Sequence, residues 1–218
     1  MSAPSLIIVG AGGHGRVLAD ALIAAGAGIA GFVDADPALK GRRVMGFEVL
    51  GGDAALEGLD RAEFSLVNGI GSLGTPDAPP TRRLAGERLA AAGWRIADVR
   101  HPSAIVAPSA RLAAGVQLLA RAVVQPAAEI GANVIVNTAA IVEHDCVVGA
   151  WSHVSIGAIL CGGVRIGDGC HIGAGAVIIQ GVRLGDSTIV GAGAAIVKDD
   201  DGPGPLVGVP ARSRRSES

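Results

Sequence analysis

The sequence predicts two folds in series: a small parallel α/β domain over residues 1–99, then a triangular parallel β-solenoid over residues 100–218. Three observations carry this. Residues 6–9 (LIIV), 10–15 (GAGGHG) and 16–25 read as strand, glycine-rich turn and amphipathic helix. Every sixth residue from Val106 to Ile196 is Val, Ile or Leu, at sixteen successive positions. The composition suits both parts, with 34 glycines, 50 % hydrophobic residues, three Phe, two Trp and no Tyr. Cores must therefore be aliphatic. Glycine at this density is costly in helices, collagen needs glycine at every third position, and so many aliphatics oppose disorder.

The run LIIV is apolar on both faces, as a buried parallel strand requires. With the helix at 16–25 and a second strand at 29–33, ending at Asp34, it makes a βαβ unit. Asp53 is expected to cap a short helix over 54–59. Residues 64–67 read as a strand, 81–92 as a helix stopped by Gly93, and 95–99 as a strand closing a Rossmann-like sheet of four or five parallel strands. A glycine turn between strand and helix offers backbone N–H groups to phosphate. Asp34 follows Gly10 by 24 residues, where an acid meets ribose hydroxyls. The spacing Gly10-x-Gly12-Gly13-x-Gly15 departs from G-x-G-x-x-G. A plain tight turn competes with nucleotide binding, which is the favoured reading.

Net charge is −2, from 18 Lys and Arg against 20 Asp and Glu, spread evenly along the chain. No basic stripe with interleaved aromatics marks a nucleic-acid surface. Cys146, Cys161 and Cys170 are odd in number and lack a CxxC spacing, so they are expected as reduced, small core residues. The start has no signal-peptide pattern and no apolar run reaches membrane length. A soluble, cytoplasmic protein is expected.

Four residues after each of the first fifteen aliphatic positions comes a second column, Ala110 through Cys146, Ser152 and Cys170 to Ala194, never larger than valine. A six-residue period fits neither helix nor long strand. It fits a chain turning a corner every six residues, three strands to an 18-residue coil and five coils from Val106 to Ile196. Glycines after the aliphatic column, at 131, 149, 167, 173, 185 and 191, are expected to supply the turns.

Polar residues interrupt this regularity at 137–146 (NTAAIVEHDC). Asp145 is placed to orient His144 and leave its distal nitrogen as a base. His153 is half a coil further on, so contact with His144 is easier across a subunit interface. His171, 18 residues beyond His153, should stack about 5 Å from it. Two histidines without a third do not make a zinc site, and no metal is expected.

The solenoid pattern resembles the left-handed parallel β-helix of hexapeptide-repeat enzymes. The whole chain is similar to the sialic acid O-acetyltransferase family, which includes bacterial nucleotide-amino-sugar N-acetyltransferases of bacillosamine and perosamine synthesis. The resemblance rests on GAGGHG at 10–15, GFVDADP at 31–37, HPSAIVAPSA at 101–110, VNTAAIVEHDCVVGAWSHVSIGA at 136–158 and LVGVPAR at 206–212. It implies acetyl transfer from acetyl-CoA to the amino group of a GDP- or UDP-linked sugar by a homotrimer with intersubunit sites. It further implies His144 as base, Asp145 as its orienting acid, the Gly162 amide as oxyanion donor and Asn137 near the base. His153 would contact the acetyl group, Gly12, Gly13, His14, Asp34 and Asp36 the nucleotide sugar, and Val207 and Pro210 the coenzyme A groove. The segment GSLGTPDAPP, within residues 70–80, matches least well. O-acetylation of a free sugar such as sialic acid, a dehydrogenase, and a non-catalytic nucleotide-sugar-binding scaffold are the alternatives.

Overall fold

The computed structural model describes residues 4–71 and 80–213. Most of the GSLGTPDAPP segment lies outside these described residues. The chain divides into two compact units, residues 4–71 with 80–102, and residues 103–213.

The first unit contains β1 (Ser5–Val9), α1 (Gly13–Ala24), β2 (Ile29–Val33), a hairpin of β3 (Arg43–Val44) and β4 (Phe47–Glu48), β5 (Phe64–Asn68) and α2 (Thr81–Ala91). The sheet runs β2-β1-β5, all parallel. Central β1 is apolar on both faces because both are covered, and Ile7 and Ile8 are fully buried. Helix α1 buries Gly15, Leu18, Ala19 and Leu22, one stripe at helical spacing.

Three strands form rather than four or five. Val49 and Ile96 each add a single parallel bridge, beside Phe32 and Leu66. The left-handed Gly51 (φ +132°) turns the chain away soon after Val49. At the other edge only Arg95 and Ala97 exchange backbone bonds with Leu66. Asp53 does not cap a helix over 54–59. It lies inside a 3-10 turn, Asp53–Leu56, that starts from Gly52, and its carboxylate pairs with Arg88 at 2.5 Å.

The second unit is a parallel solenoid with three faces. Six strands from Ile105–Val106 to Ala195–Ile196 make the first face, and five from Arg111–Leu112 to Arg183–Leu184 the second. The third runs from Gln117–Leu118 through Ile135–Val136, His153–Val154 and His171–Ile172 to Thr188–Val190. There Gly204–Gly208 adds in parallel and hairpins back through Ala211–Ser213. Register partners such as Val123, Ile141 and Ile159 are 18 residues apart.

The aliphatic column is buried from Leu118 to Ile196. Leu112, on the first strand of its face with no coil below it, is 40 % exposed. The small column is buried from Val116 to Ala194, and its polar members are satisfied locally. Ser152 Oγ donates to Gly167 O (2.8 Å) and accepts from Cys170 N (2.9 Å). Cys146 and Cys170 belong to this column, whereas Cys161 lies half-buried in the turn after Leu160, so only two cysteines are core residues.

Turn geometry comes from a column the sequence did not single out. From residue 115 to residue 193 every sixth residue is left-handed, with φ between +56° and +75°, and Arg121, Ala127, Asn133, Ala139, Asp145, Trp151 and Ser187 share it with glycine. The glycines after the aliphatic column are not left-handed. They are needed because the next coil passes close by, and a Cβ on Gly131 would stand 2.7 Å from Ala150 N. Among the described residues no helix is long and apolar enough to cross a membrane.

Candidate active site

His144 stands on the turn that joins the first face to the second, and Gly162 stands on the same turn one coil later. Side chains of neighbouring strand residues point oppositely. The left-handed backbone of Asp145 (φ +60°), tolerable for aspartate, breaks that alternation. His144 Nδ1 then donates to Asp145 Oδ2 at 2.8 Å. This bond is the main reason the imidazole pKa lies above its ordinary 6.5, with the nearby charges of Asp145 and Glu143 acting in the same direction. Committing Nδ1–H to the carboxylate leaves Nε2 as the lone-pair nitrogen of the neutral ring.

That nitrogen faces Gly162. A Cβ on Gly162 would sit 2.5 Å from His144 Nε2 and 2.6 Å from Cε1, so only glycine lets the ring occupy this place. Gly163 N–H donates to His144 O (2.8 Å) and ties the two coils together. The Gly162 N–H has no acceptor among the described residues. A lone-pair nitrogen, the acid that orients its ring and an open backbone donor are thus gathered on two stacked turns. The 18-residue spacing of His144 and Gly162 is the sequence signal for their proximity.

A second polar cluster occupies the third face. Thr138 N–H donates to Asn137 Oδ1 (2.7 Å), which turns the amide NH2 toward His153 Nε2 at 2.9 Å. Nε2 is then the acceptor, and the neutral His153 ring carries its proton on Nδ1. Within one chain Asn137 bonds to His153. It follows a third-face strand, and His144 follows a first-face strand. His153 is buried and meets His171 edge to face, with ring centroids 5.0 Å apart. Ser155 Oγ lies 3.2 Å from His171 Nε2, and burial lowers the His171 pKa, favouring its neutral form. No group of three or more His, Cys, Asp or Glu is gathered for a metal among the described residues. Burial pushes the thiols of Cys146 and Cys170 up to about 11, which makes both poor nucleophiles at neutral pH.

In the first unit, Gly12, Gly13 and His14 open α1, and Asp34 follows β2. Asp34 Oδ2 accepts Ala11 N–H (2.7 Å) and Oδ1 accepts Asp36 N–H (2.9 Å), so Asp34 braces the glycine turn. Asp36 accepts Ala38 N–H at 2.9 Å. Gly10 (φ +101°) and Gly15 are required by the fold, since a Cβ on Gly15 would strike Gly10 O. Gly12 and Gly13 are not: a Cβ on either meets nothing within 4 Å. They leave the start of α1 uncovered by side chains, and a helix N-terminus is a position whose dipole favours an anion. Val207 and Pro210 lie in the hairpin that ends the third face, away from the His144 turn.

Comparison with known proteins gives matches along the chain. Residues 5–75 match the PglD N-terminal domain, residues 139–178 the hexapeptide repeat of succinyl-transferase, and residues 163–198 the bacterial transferase hexapeptide (six repeats). Among curated proteins, none matches in sequence. The solved acetyltransferase domain of PglB from Neisseria gonorrhoeae FA1090 is 37 % identical, with a TM-score of 0.87 over 97 % of this chain and 100 % of that one. That domain has also been solved in complex with acetyl coenzyme A. A variant of GDP-perosamine N-acetyl transferase from Caulobacter crescentus, in complex with CoA and GDP-perosamine, is 35 % identical, with a TM-score of 0.84 over 99 % of each chain.

Proposed function

We propose, from the premise that the chain belongs to the hexapeptide-repeat nucleotide-amino-sugar N-acetyltransferases, that it transfers acetyl from acetyl-CoA to the amino group of a nucleotide-linked amino sugar. The observation that carries the reading is His144 Nε2 directed at Gly162 and freed by the Nδ1 bond to Asp145. The neutral amine attacks the thioester carbonyl, and His144 Nε2 accepts the amine proton as the C–N bond forms. The Gly162 N–H, open to a ligand, stabilises the negative charge on the carbonyl oxygen. Collapse expels the CoA thiolate, which takes up a proton. No acyl-enzyme is needed, because the groove holds both reactants together.

The acceptor's nucleotide lies against Gly12, Gly13 and His14, with Asp34 and Asp36 shaping the turn that receives it. His153, fixed by Asn137, contacts the acetyl group, and Val207 and Pro210 border the coenzyme A groove. Because His144 lies on the turn after a first-face strand and His153 within a third-face strand, the site is completed by a neighbouring copy in a homotrimer. The outward aliphatics Ile105, Val123, Ile141, Ile159 and Val177 on the first face give such a trimer apolar surface to cover. A cytoplasmic location suits acetyl-CoA and three free cysteines.

The test is thiol release from acetyl-CoA with UDP-, GDP- and dTDP-linked amino sugars, the deaminated sugars serving as controls. Amine-dependent release with one nucleotide preferred is expected. No release with any of them, or release that ignores the amine, overturns the reading. For the trimer, coexpressed His144→Ala and His153→Ala subunits should recover up to about a quarter of wild-type activity, since mixed rings rebuild intact sites. No recovery would place both histidines in one subunit's site.

A further inference from the structure

The outward side chains of the second face form a ladder: Arg111, Glu129, Val147, Arg165 and Arg183, each in register with the next. Its two ends differ in electrostatics. Arg111 and Glu129 are neighbours of opposite sign and form an ion pair. Arg165 and Arg183 are direct register partners of the same sign, both exposed, and neither guanidinium has an acid partner among the described residues. Asp199 comes close, but its carboxylate accepts the Arg183 backbone N–H at 2.9 Å. Like charges set opposite each other on adjacent strands repel. At coil spacing of about 4.8 Å this unneutralised pair has a cost that the fold itself does not explain.

Its position supplies the explanation. Arg165 follows Gly162 by three residues, at the edge of the second face beside the His144–Gly162 turn, and Arg183 is one coil beyond, on the side away from His144. We infer that Arg165 and Arg183 form a phosphate-binding strip for the coenzyme A moiety of the acetyl donor. The inference rests on acetyl-CoA being the donor. With the thioester at Gly162, the strip begins three residues further along the chain and continues one coil away from His144, within reach of the donor's tail. Guanidinium groups bind phosphate through paired, charge-assisted hydrogen bonds, and a phosphate between the two arginines cancels their repulsion. The acceptor's phosphates are the other conceivable source, and the nucleotide arm of the test separates the two.

The experiment compares wild type with the Arg165→Gln/Arg183→Gln double variant, with Arg111→Gln as a control whose charge is already paired. Calorimetry measures binding of CoA, of pantetheine and of GDP and UDP, and thiol release is followed with acetyl-CoA and acetylpantetheine. The double variant should bind CoA about tenfold more weakly and lose its salt dependence. Its pantetheine and nucleotide binding, and its kcat at saturating acetyl-CoA, should match wild type. Arg111→Gln should match wild type throughout. Unchanged CoA affinity, or equal losses for CoA and pantetheine, overturns the strip. A loss confined to GDP or UDP overturns it in favour of acceptor phosphates. Tenfold weaker CoA binding in a protein that never releases thiol would keep the strip and remove the acetyl-transfer reading.

Discussion

Glycine-rich segments occur in both units, and they answer to different neighbours. In the solenoid, Gly131 is required by the backbone of the next coil and Gly162 by the imidazole of His144. In the turn at residues 10–15, Gly10 and Gly15 are required by the chain itself, whereas Gly12 and Gly13 face open space. A repeat makes each position comparable with its equivalents one coil away, so a polar departure such as His144 stands out against Pro126 and Gly162. The α/β unit has no such internal standard. There Asp34, just after the second strand, serves the turn through Ala11 and Asp36.

The largest expected effect breaks the solenoid side of this contrast at its active turn. His144→Ala should lower kcat by about 100- to 10,000-fold with unchanged circular dichroism, since its side chain is 60 % exposed. Gly162→Ala should lower kcat by about a hundredfold by pushing the imidazole aside, while CoA still binds. Full activity in Gly162→Ala would show that the ring need not lie against that glycine.

Next comes a pair of substitutions in the glycine turn. Gly15→Ala should cost about 3 kcal/mol in denaturant unfolding, because its Cβ collides with Gly10 O. Gly12→Ala should leave stability within about 0.5 kcal/mol and raise KM for the nucleotide sugar alone. Equal stability losses in the two would erase the distinction between glycines kept for the fold and glycines kept for a ligand.

A smaller effect concerns pH. His144 must be neutral to accept a proton and its pKa lies above 6.5, so kcat should rise with pH through a midpoint above that value. Asp145→Asn keeps a side chain suited to the left-handed backbone and removes the principal cause of the upward shift. The acidic limb should therefore move down toward 6.5, with a lower plateau; an unmoved limb would separate Asp145 from the titrating group. The smallest effect is Ala139→Gly, at a left-handed position (φ +56°). Relief of steric strain exceeds the entropy glycine adds to the unfolded chain, and should raise stability by up to about 1 kcal/mol in thermal unfolding.

The solenoid was legible because Val, Ile and Leu at one column and small residues at another are what a narrow triangular interior demands of every coil. Its left-handed column was not, because Arg121, Ala127 and Trp151 hold that geometry through the hydrogen bonds and packing of adjacent coils, which no local residue preference announces. Cys161 was grouped with Cys146 and Cys170 by type, although its place one residue after Leu160 puts it in a turn. In the α/β unit the strands were legible, but the sheet's width was not, since single bridges at Val49 and Ile96 depend on how two flanking segments pass the edge. Asp53 reads as a cap in sequence, yet Arg88, 35 residues away, supplies its partner. The pairing of His144 with Asp145 was legible from adjacency. The bond of Asn137 to His153 was not, because it depends on which residues the third-face register brings together.

The single-coil separation of His144 and Gly162 also bears on how such a chain can change length. Insertion or loss of a residue between them would rotate one partner off its turn, so this interval is closed to small indels. Whole 18-residue coils added after Gly162 would leave the pair intact and lengthen the solenoid beyond it. The solenoid can thus change length by duplication while the contact of His144 with Gly162 is inherited unchanged.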